Sequence, residues 1–186
     1  MTALFDTQGI SPYAAVNTSN SSYASINLGD GTFSGNSNDM GTRLVTFQGY
    51  NLTDARALHV QFYQGLNGGG SVMYWNYRTM SSNTTYTYYS ANNAYPRLTY
   101  WNLGVSPNEP INGYILINPS YDTNWQDTKP FFISHWSMTG DNGNTYITQS
   151  AGSSNTNAAC QSLKFWADSG NIAVKLKSYP LAHWEN

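Results

Sequence analysis

The chain has 186 residues and a formal net charge of −2, and only 10% of its residues are charged, against about 25% in an average soluble domain. This length suits one domain, or at most two small ones. The balance of eight basic and ten acidic residues gives no electrostatic reason to bind nucleic acid or an anionic membrane surface.

The first forty residues are weakly patterned, with the polar stretch TSNSSYASINLGDGTFSGNSNDMG over 18–41. We therefore predict residues 1–40 as an N-terminal arm or weakly structured extension, and 41–186 as one domain. The start of the chain has neither a basic region nor a long apolar region, so no Sec signal peptide is predicted. No segment approaches the roughly 20 apolar residues of a membrane-spanning helix.

From residue 43 onward, short segments of alternating apolar and polar residues predict about ten strands. Clusters of Gly, Asn, Asp, Pro and Ser separate them, as turns require. The predicted strands are 43–47, 57–65, 71–80, 84–90, 97–104, 113–118, 130–138, 144–150, 162–167 and 171–179. The pattern favours an all-β fold, an antiparallel β-sandwich that is jelly-roll-like.

The segment 161–181, QSLKFWADSGNIAVKLKSYPL, predicts a β-hairpin closed by DSGN. Its first strand has Leu163 and Phe165 on one face. Its second strand has the apolar side chains of Ile172, Val174 and Leu176 on one face and two lysines on the other. One face is therefore expected to be buried and the other solvent-exposed, as in a sheet that packs over a core.

The sequence offers little chemistry for an active site. His59, His135 and His183 are far apart and form no metal-binding motif, and His59 is expected on the polar face of a strand. Most Asp residues lie in turns, and the two glutamates are distant from each other. Cys160 is the only cysteine, which excludes an internal disulfide and predicts a small buried side chain. We predict no enzyme activity, no catalytic or metal-binding residues and no cofactor.

Nine aromatic residues fall between 74 and 101. On alternating strands they could fill the core, form a subunit interface or stack on sugar rings. The candidate interface or ligand-stacking residues are Tyr74, Trp75, Tyr77, Tyr86, Tyr88 and Trp101.

Three segments together carry a resemblance: GYILINPS (113–120), PFFISHW (130–136) and SLKFWADSGNIAVKLKSY (162–179). They resemble small β-sandwich structural proteins of tailed, aquatic bacteriophages, which are head decoration (cement) or tail-associated proteins. The low charge and the abundance of Tyr, Asn and Ser are similar as well. The resemblance implies a component of the virion, assembled in the host cytoplasm.

The expected function is thus a capsid decoration protein that binds capsomers and stabilises the head. Its expected partners are itself, as a homotrimer, and the major capsid protein or other virion proteins. Two alternatives stay open: a tail-associated receptor-binding or adaptor protein, and a carbohydrate-binding β-sandwich module. A host glycan would be a partner only in these alternatives.

Overall fold

The computed structural model of the protein describes residues 14–28, 42–51, 58–81, 87–99, 110–119, 129–139, 144–156 and 158–181. These ranges contain eleven strands and one 3-10 turn at Leu66–Gly68. The strands are β1 (Ala14–Ser21), β2 (Ala24–Asn27), β3 (Arg43–Asn51), β4 (Leu58–Tyr63), β5 (Trp75–Ser81), β6 (Thr87–Asn93), β7 (Pro110–Asn118), β8 (Phe131–Thr139), β9 (Thr145–Ser154), β10 (Ser162–Ala167) and β11 (Ile172–Pro180).

The strands form two antiparallel sheets of unequal size. The large sheet has the order β1-β11-β3-β7-β8-β9-β5-β6, and the small sheet has the order β2-β10-β4. The prediction of an all-β sandwich is confirmed. The strand division differs from the jelly-roll expectation, because a jelly roll has about eight strands in two Greek keys, whereas one sheet alone holds eight here.

The core lies between the two sheets and contains two groups of aromatic rings. Phe47 of the large sheet contacts Phe165 of the small sheet, with ring centroids 5.3 Å apart. Phe62 of the small sheet contacts Trp75 of the large sheet at 4.2 Å, and Phe132 packs against both rings. Because every second side chain of a strand points to the same face, the alternating sequence brings these rings into one layer.

Two strands lie within the segment that was predicted as an arm. β1 pairs with β11 in the large sheet, and β2 pairs with β10 in the small sheet. Ala24, Ile26 and Leu28 are buried in the core. Residues 14–28 are therefore part of the sandwich, and the predicted boundary at residue 40 is wrong for them.

The predicted hairpin at 161–181 is also wrong. Its faces are as expected, since Leu163, Phe165 and Leu176 are fully buried while the two lysines of β11 are exposed. However, β10 pairs with β2 and β4, whereas β11 pairs with β1 and β3. The turn at 168–171 therefore joins the two sheets across the core as a β-arch.

Nine of the ten predicted strands overlap observed ones. The exception is 97–104, in which Arg97 makes one isolated bridge to His59 and residues 100–104 lie outside the described ranges. No helix in the described ranges is long and apolar enough to cross a membrane.

Candidate functional site

The structure places the six predicted aromatic residues in different settings. Trp75 and Tyr77 are 0% and 2% exposed, so both are core residues, and Tyr77 also lines a pocket at the edge of the core. Tyr74, next to them in the chain, is 47% exposed and remains a candidate. Tyr88 lies in β6, of which only the backbone is described there, and Tyr86 and Trp101 lie outside the described residues.

The first candidate surface is the outer face of the large sheet, which we define as the face turned away from the small sheet. Its strands β7, β8 and β9 contain no Asp, Glu, Lys or Arg. Four large apolar side chains on β8, β9 and β5 are between 42% and 53% exposed. They are Met80, Phe131, Ile133 and Ile147. The outer face of an antiparallel sheet is ordinarily polar, so this face is unusual.

A groove of about 340 Å³ crosses the middle of the outer face. Ile133 lies at the floor of this groove. The strand register places it between Leu116 of β7 and Ala151 of β9. In the next row His135 stacks on Tyr114, with ring centroids 6.0 Å apart and planes 12° apart. The groove therefore combines apolar side chains with flat rings and polar groups, and Arg78 of β5 is the charged residue in its lining.

The second candidate surface is a pocket of about 310 Å³ at the β4 edge of the small sheet, lined also by Tyr77 of β5, which we call the Trp166 pocket. Trp166 lies directly opposite His59 on the paired strands β10 and β4, and their rings stack at 5.4 Å with planes 19° apart. Asp168 follows Trp166 by two residues, the period that returns a strand to the same face. Leu163 and Phe165 of β10 point into the core. Because side chains alternate along a strand, Trp166 points to the opposite, outer face.

The other wall of the Trp166 pocket comes from the segment after β6. The Val60 amide donates to the Pro96 carbonyl at 3.1 Å, and the Leu98 amide donates to the Leu58 carbonyl at 3.0 Å. These bonds hold the segment alongside β4. Tyr95, which is 49% exposed, meets the Trp166 ring edge-on at 5.9 Å.

At the centre of the pocket a histidine contacts a carboxylate. His59 Nε2 contacts the Asp168 carboxylate, and the His59 side chain is only 7% exposed whereas that of Asp168 is 35% exposed. Burial lowers the pKa of His59 below its ordinary 6.5, the Asp168 charge opposes this, and the Arg97 charge adds to it. The expectation of a surface histidine at position 59 is wrong, because Trp166 and its neighbours cover the polar face of β4.

Sequence reasoning missed the Trp166 pocket. Asp168 lies in a predicted turn and Trp166 in a predicted strand, and neither position by itself indicates a site. A signal was present in FWADS, since an inward Phe165 requires Trp166 and Asp168 to point outward together. What the sequence did not contain was the pairing of β10 with β4, which brings His59 beside them.

Other reactive groups do not form a site within the described residues. Cys160 is fully buried, as predicted, and burial raises the pKa of its thiol above the ordinary value. No three His, Cys, Asp or Glu side chains in the described ranges are grouped so that they could hold a metal ion.

Comparison of the chain with protein-family models, with curated proteins and with solved structures returned no match in any of the three.

Proposed function

We propose that this chain is a structural protein of a bacteriophage virion, and specifically a capsid decoration protein that binds capsomers and stabilises the head. In this proposal the chain acts by binding and catalyses no reaction. It assembles in the host cytoplasm and ends in the virion. The observation that carries the proposal is the apolar part of the outer face formed by β7, β8 and β9, which contain no charged residue.

The composition of the outer face supports an assembly role. Charged residues are depleted in the buried centres of protein interfaces because their desolvation is costly, while aromatic and Met side chains are enriched. The strands β7, β8 and β9 have no charged residue, and Ile133, Ile147 and Met80 project from this region of the sheet. Large apolar patches left exposed on a single chain mark interaction sites.

The mechanism follows from linkage. A protein that binds only the assembled shell lowers the free energy of that shell relative to dissociated capsomers. A stable contact buries about 800 Å² on each partner, and the outer face of several adjacent strands offers a surface of this kind. We further propose that the chain forms a homotrimer, since closed rotational symmetry is the rule for oligomers of one chain.

The test is binding to expanded phage heads that lack this protein, followed by measurement of the heat stability of the recovered heads. The variant is Ile133→Asp, which puts a charge in the middle of the outer face. The matched control is Leu66→Asp, since Leu66 is also exposed (39%, against 47% for Ile133) but lies on the 3-10 turn beside the small sheet. Both variants should remain folded, as checked by thermal melting, and Ile133→Asp should lose about 1 kcal/mol of stability because Asp is disfavoured in strands.

We expect saturable binding of the wild-type chain, raised head stability, and about tenfold weaker binding of Ile133→Asp. Leu66→Asp should bind as the wild type does. Failure of the wild-type chain to bind heads would contradict the decoration role, and binding to isolated tails instead would support the tail-associated alternative. Equal binding by both variants would show that the outer face is not the interface.

A further inference from the structure

We propose that the Trp166 pocket is a binding site for a neutral saccharide. It lies on the small sheet, opposite the face that carries the proposed assembly role, so it is a separate function of the same chain. Three features of the pocket favour such a ligand: its rings, its polar groups and its balance of charge.

The rings provide a stacking surface. Trp166 is backed by His59, whose ring lies nearly parallel to it, and Tyr95 stands edge-on beside it. The imidazole and the strand pairing hold the indole in one orientation, so little side-chain entropy remains to be lost on binding. A sugar ring presents a face of C–H groups, and the electron-rich face of an aromatic ring attracts such groups.

The polar side chains of the pocket can form hydrogen bonds with the hydroxyl groups of a sugar. The Asp168 carboxylate accepts hydrogen bonds and is partly exposed at the pocket. Asn93 and Arg97 bring N–H donors to the same lining. Each sugar hydroxyl both donates and accepts, so it requires acceptors and donors close together beside an apolar surface. A volume of about 310 Å³ is at the lower end of the range for ligand pockets, which suits a ligand of one or two rings.

The charges favour a neutral ligand. Asp168 would repel a phosphate or a carboxylated sugar, and its negative charge is opposed in the same pocket by the positive charge of Arg97. Neither sign dominates, so an ionic ligand gains little there. A planar nucleobase could stack on Trp166, but the phosphate of a nucleotide would meet the Asp168 carboxylate.

The experiment uses the full chain against an array of neutral and acidic mono- and oligosaccharides. Hits are then titrated by saturation-transfer NMR and by tryptophan fluorescence. The test variants are Tyr95→Ala and Asp168→Asn, and the control is Leu66→Ala. Leu66 is an exposed large side chain (39%, against 49% for Tyr95) on the 3-10 turn that contacts Ser162, at the opposite end of β10 from Trp166.

We expect at least one neutral saccharide to bind with a Kd on the order of 1 mM or tighter. Tyr95→Ala should weaken this binding about three- to tenfold through loss of ring contact. Asp168→Asn should weaken it about tenfold through loss of a charge-assisted hydrogen bond, and Leu66→Ala should leave it unchanged.

Three results would overturn the proposal: no neutral saccharide binding at millimolar concentration, binding that all three variants retain equally, or binding of acidic sugars or nucleotides only. The saccharide proposal and the head-binding proposal fail separately. Asp168→Asn should still bind phage heads as the wild-type chain does, and Ile133→Asp should still bind the saccharide.

Discussion

Gly113 shows how single residues hold the core of the large sheet. It lies on β7 between Phe47 of β3 and Trp136 of β8. A Cβ atom added at Gly113 would come 2.5 Å from the His135 carbonyl oxygen and would overlap the Trp136 indole. The indole occupies this space and meets Phe47 edge-on at 5.3 Å. Glycine is required here for space rather than for backbone conformation.

Gly113→Ala should therefore lower the free energy of unfolding by about 1–3 kcal/mol through overpacking, as measured by chemical denaturation. Gly69→Ala is the control, since a Cβ there would lie 3.1 Å from its nearest neighbour, the Leu66 carbonyl oxygen, in a surface turn. This control should change stability by less than about 0.5 kcal/mol. Similar losses for both variants would refute the packing role of Gly113.

His59 gives the fold a pH dependence at the residue scale. Because burial lowers its pKa in the folded state below 6.5, the unfolded chain binds more protons in that range, and stability falls as the pH drops below about 6.5. We expect His59→Gln to lose less stability than the wild type between pH 7 and pH 5, as followed by thermal melting. Parallel curves for the two proteins would contradict this assignment.

At the scale of the element, the arch at 168–171 decides what the last two strands do. Leu163 and Phe165 enter the core from the small sheet, and Val174 and Leu176 enter it from the large one. A hairpin with the same alternation would place all four on one sheet. The arch instead makes this segment the link that closes the sandwich, and it leaves Asp168 at the rim where it reaches His59.

A disulfide test separates the arch from the hairpin. Lys164 lies directly opposite Ser25 of β2, and directly opposite residues have Cα atoms about 4.5–5.5 Å apart, within the disulfide range. In a Cys160→Ala background, the pair Lys164→Cys and Ser25→Cys should cross-link under mild oxidation, as detected by peptide mass. A hairpin would instead pair Lys164 with Lys175, so the double variant Lys164→Cys and Lys175→Cys should not cross-link. The reverse outcome would show that β10 and β11 pair with each other as a hairpin.

At the scale of the whole molecule, the two ends of the described chain are joined in both layers. β1 pairs with β11 in the large sheet, and β2 pairs with β10 in the small sheet. These contacts are distant in sequence, so their loop entropy must be overcome before they contribute stability, and folding of such topologies takes milliseconds to seconds. The early strands are therefore structural parts of the sandwich.

Deletion of residues 1–40 should abolish cooperative thermal unfolding, because it removes β1, β2 and three core side chains. Adding a synthetic peptide of residues 14–28 in trans should restore the cooperative transition, since an extended peptide can complete an open sheet edge. A deletion variant that melts like the full chain would show that these strands contribute little to stability.

The sequence by itself determined the fold class and the positions of nine strands. It also determined which side chains of those strands point inward, such as Phe62, Phe165 and Leu176. The reason is that strand alternation is a local property, since the two-residue period can be recognised from neighbouring residues alone. The same alternation explains why Trp166 and Asp168 point together out of the core, whereas the burial of Cys160 was predicted from its residue type.

Only the tertiary structure decided which strands pair. Pairing joins residues distant in the chain, and alternation is identical for a hairpin and an arch. For this reason the sequence did not reveal that β1 and β2 belong to the sandwich, or that Trp75 and Tyr77 are core residues while Ile133 is exposed. The Trp166 pocket depends on the same choice, because His59 meets Trp166 and Asp168 only where β10 lies beside β4.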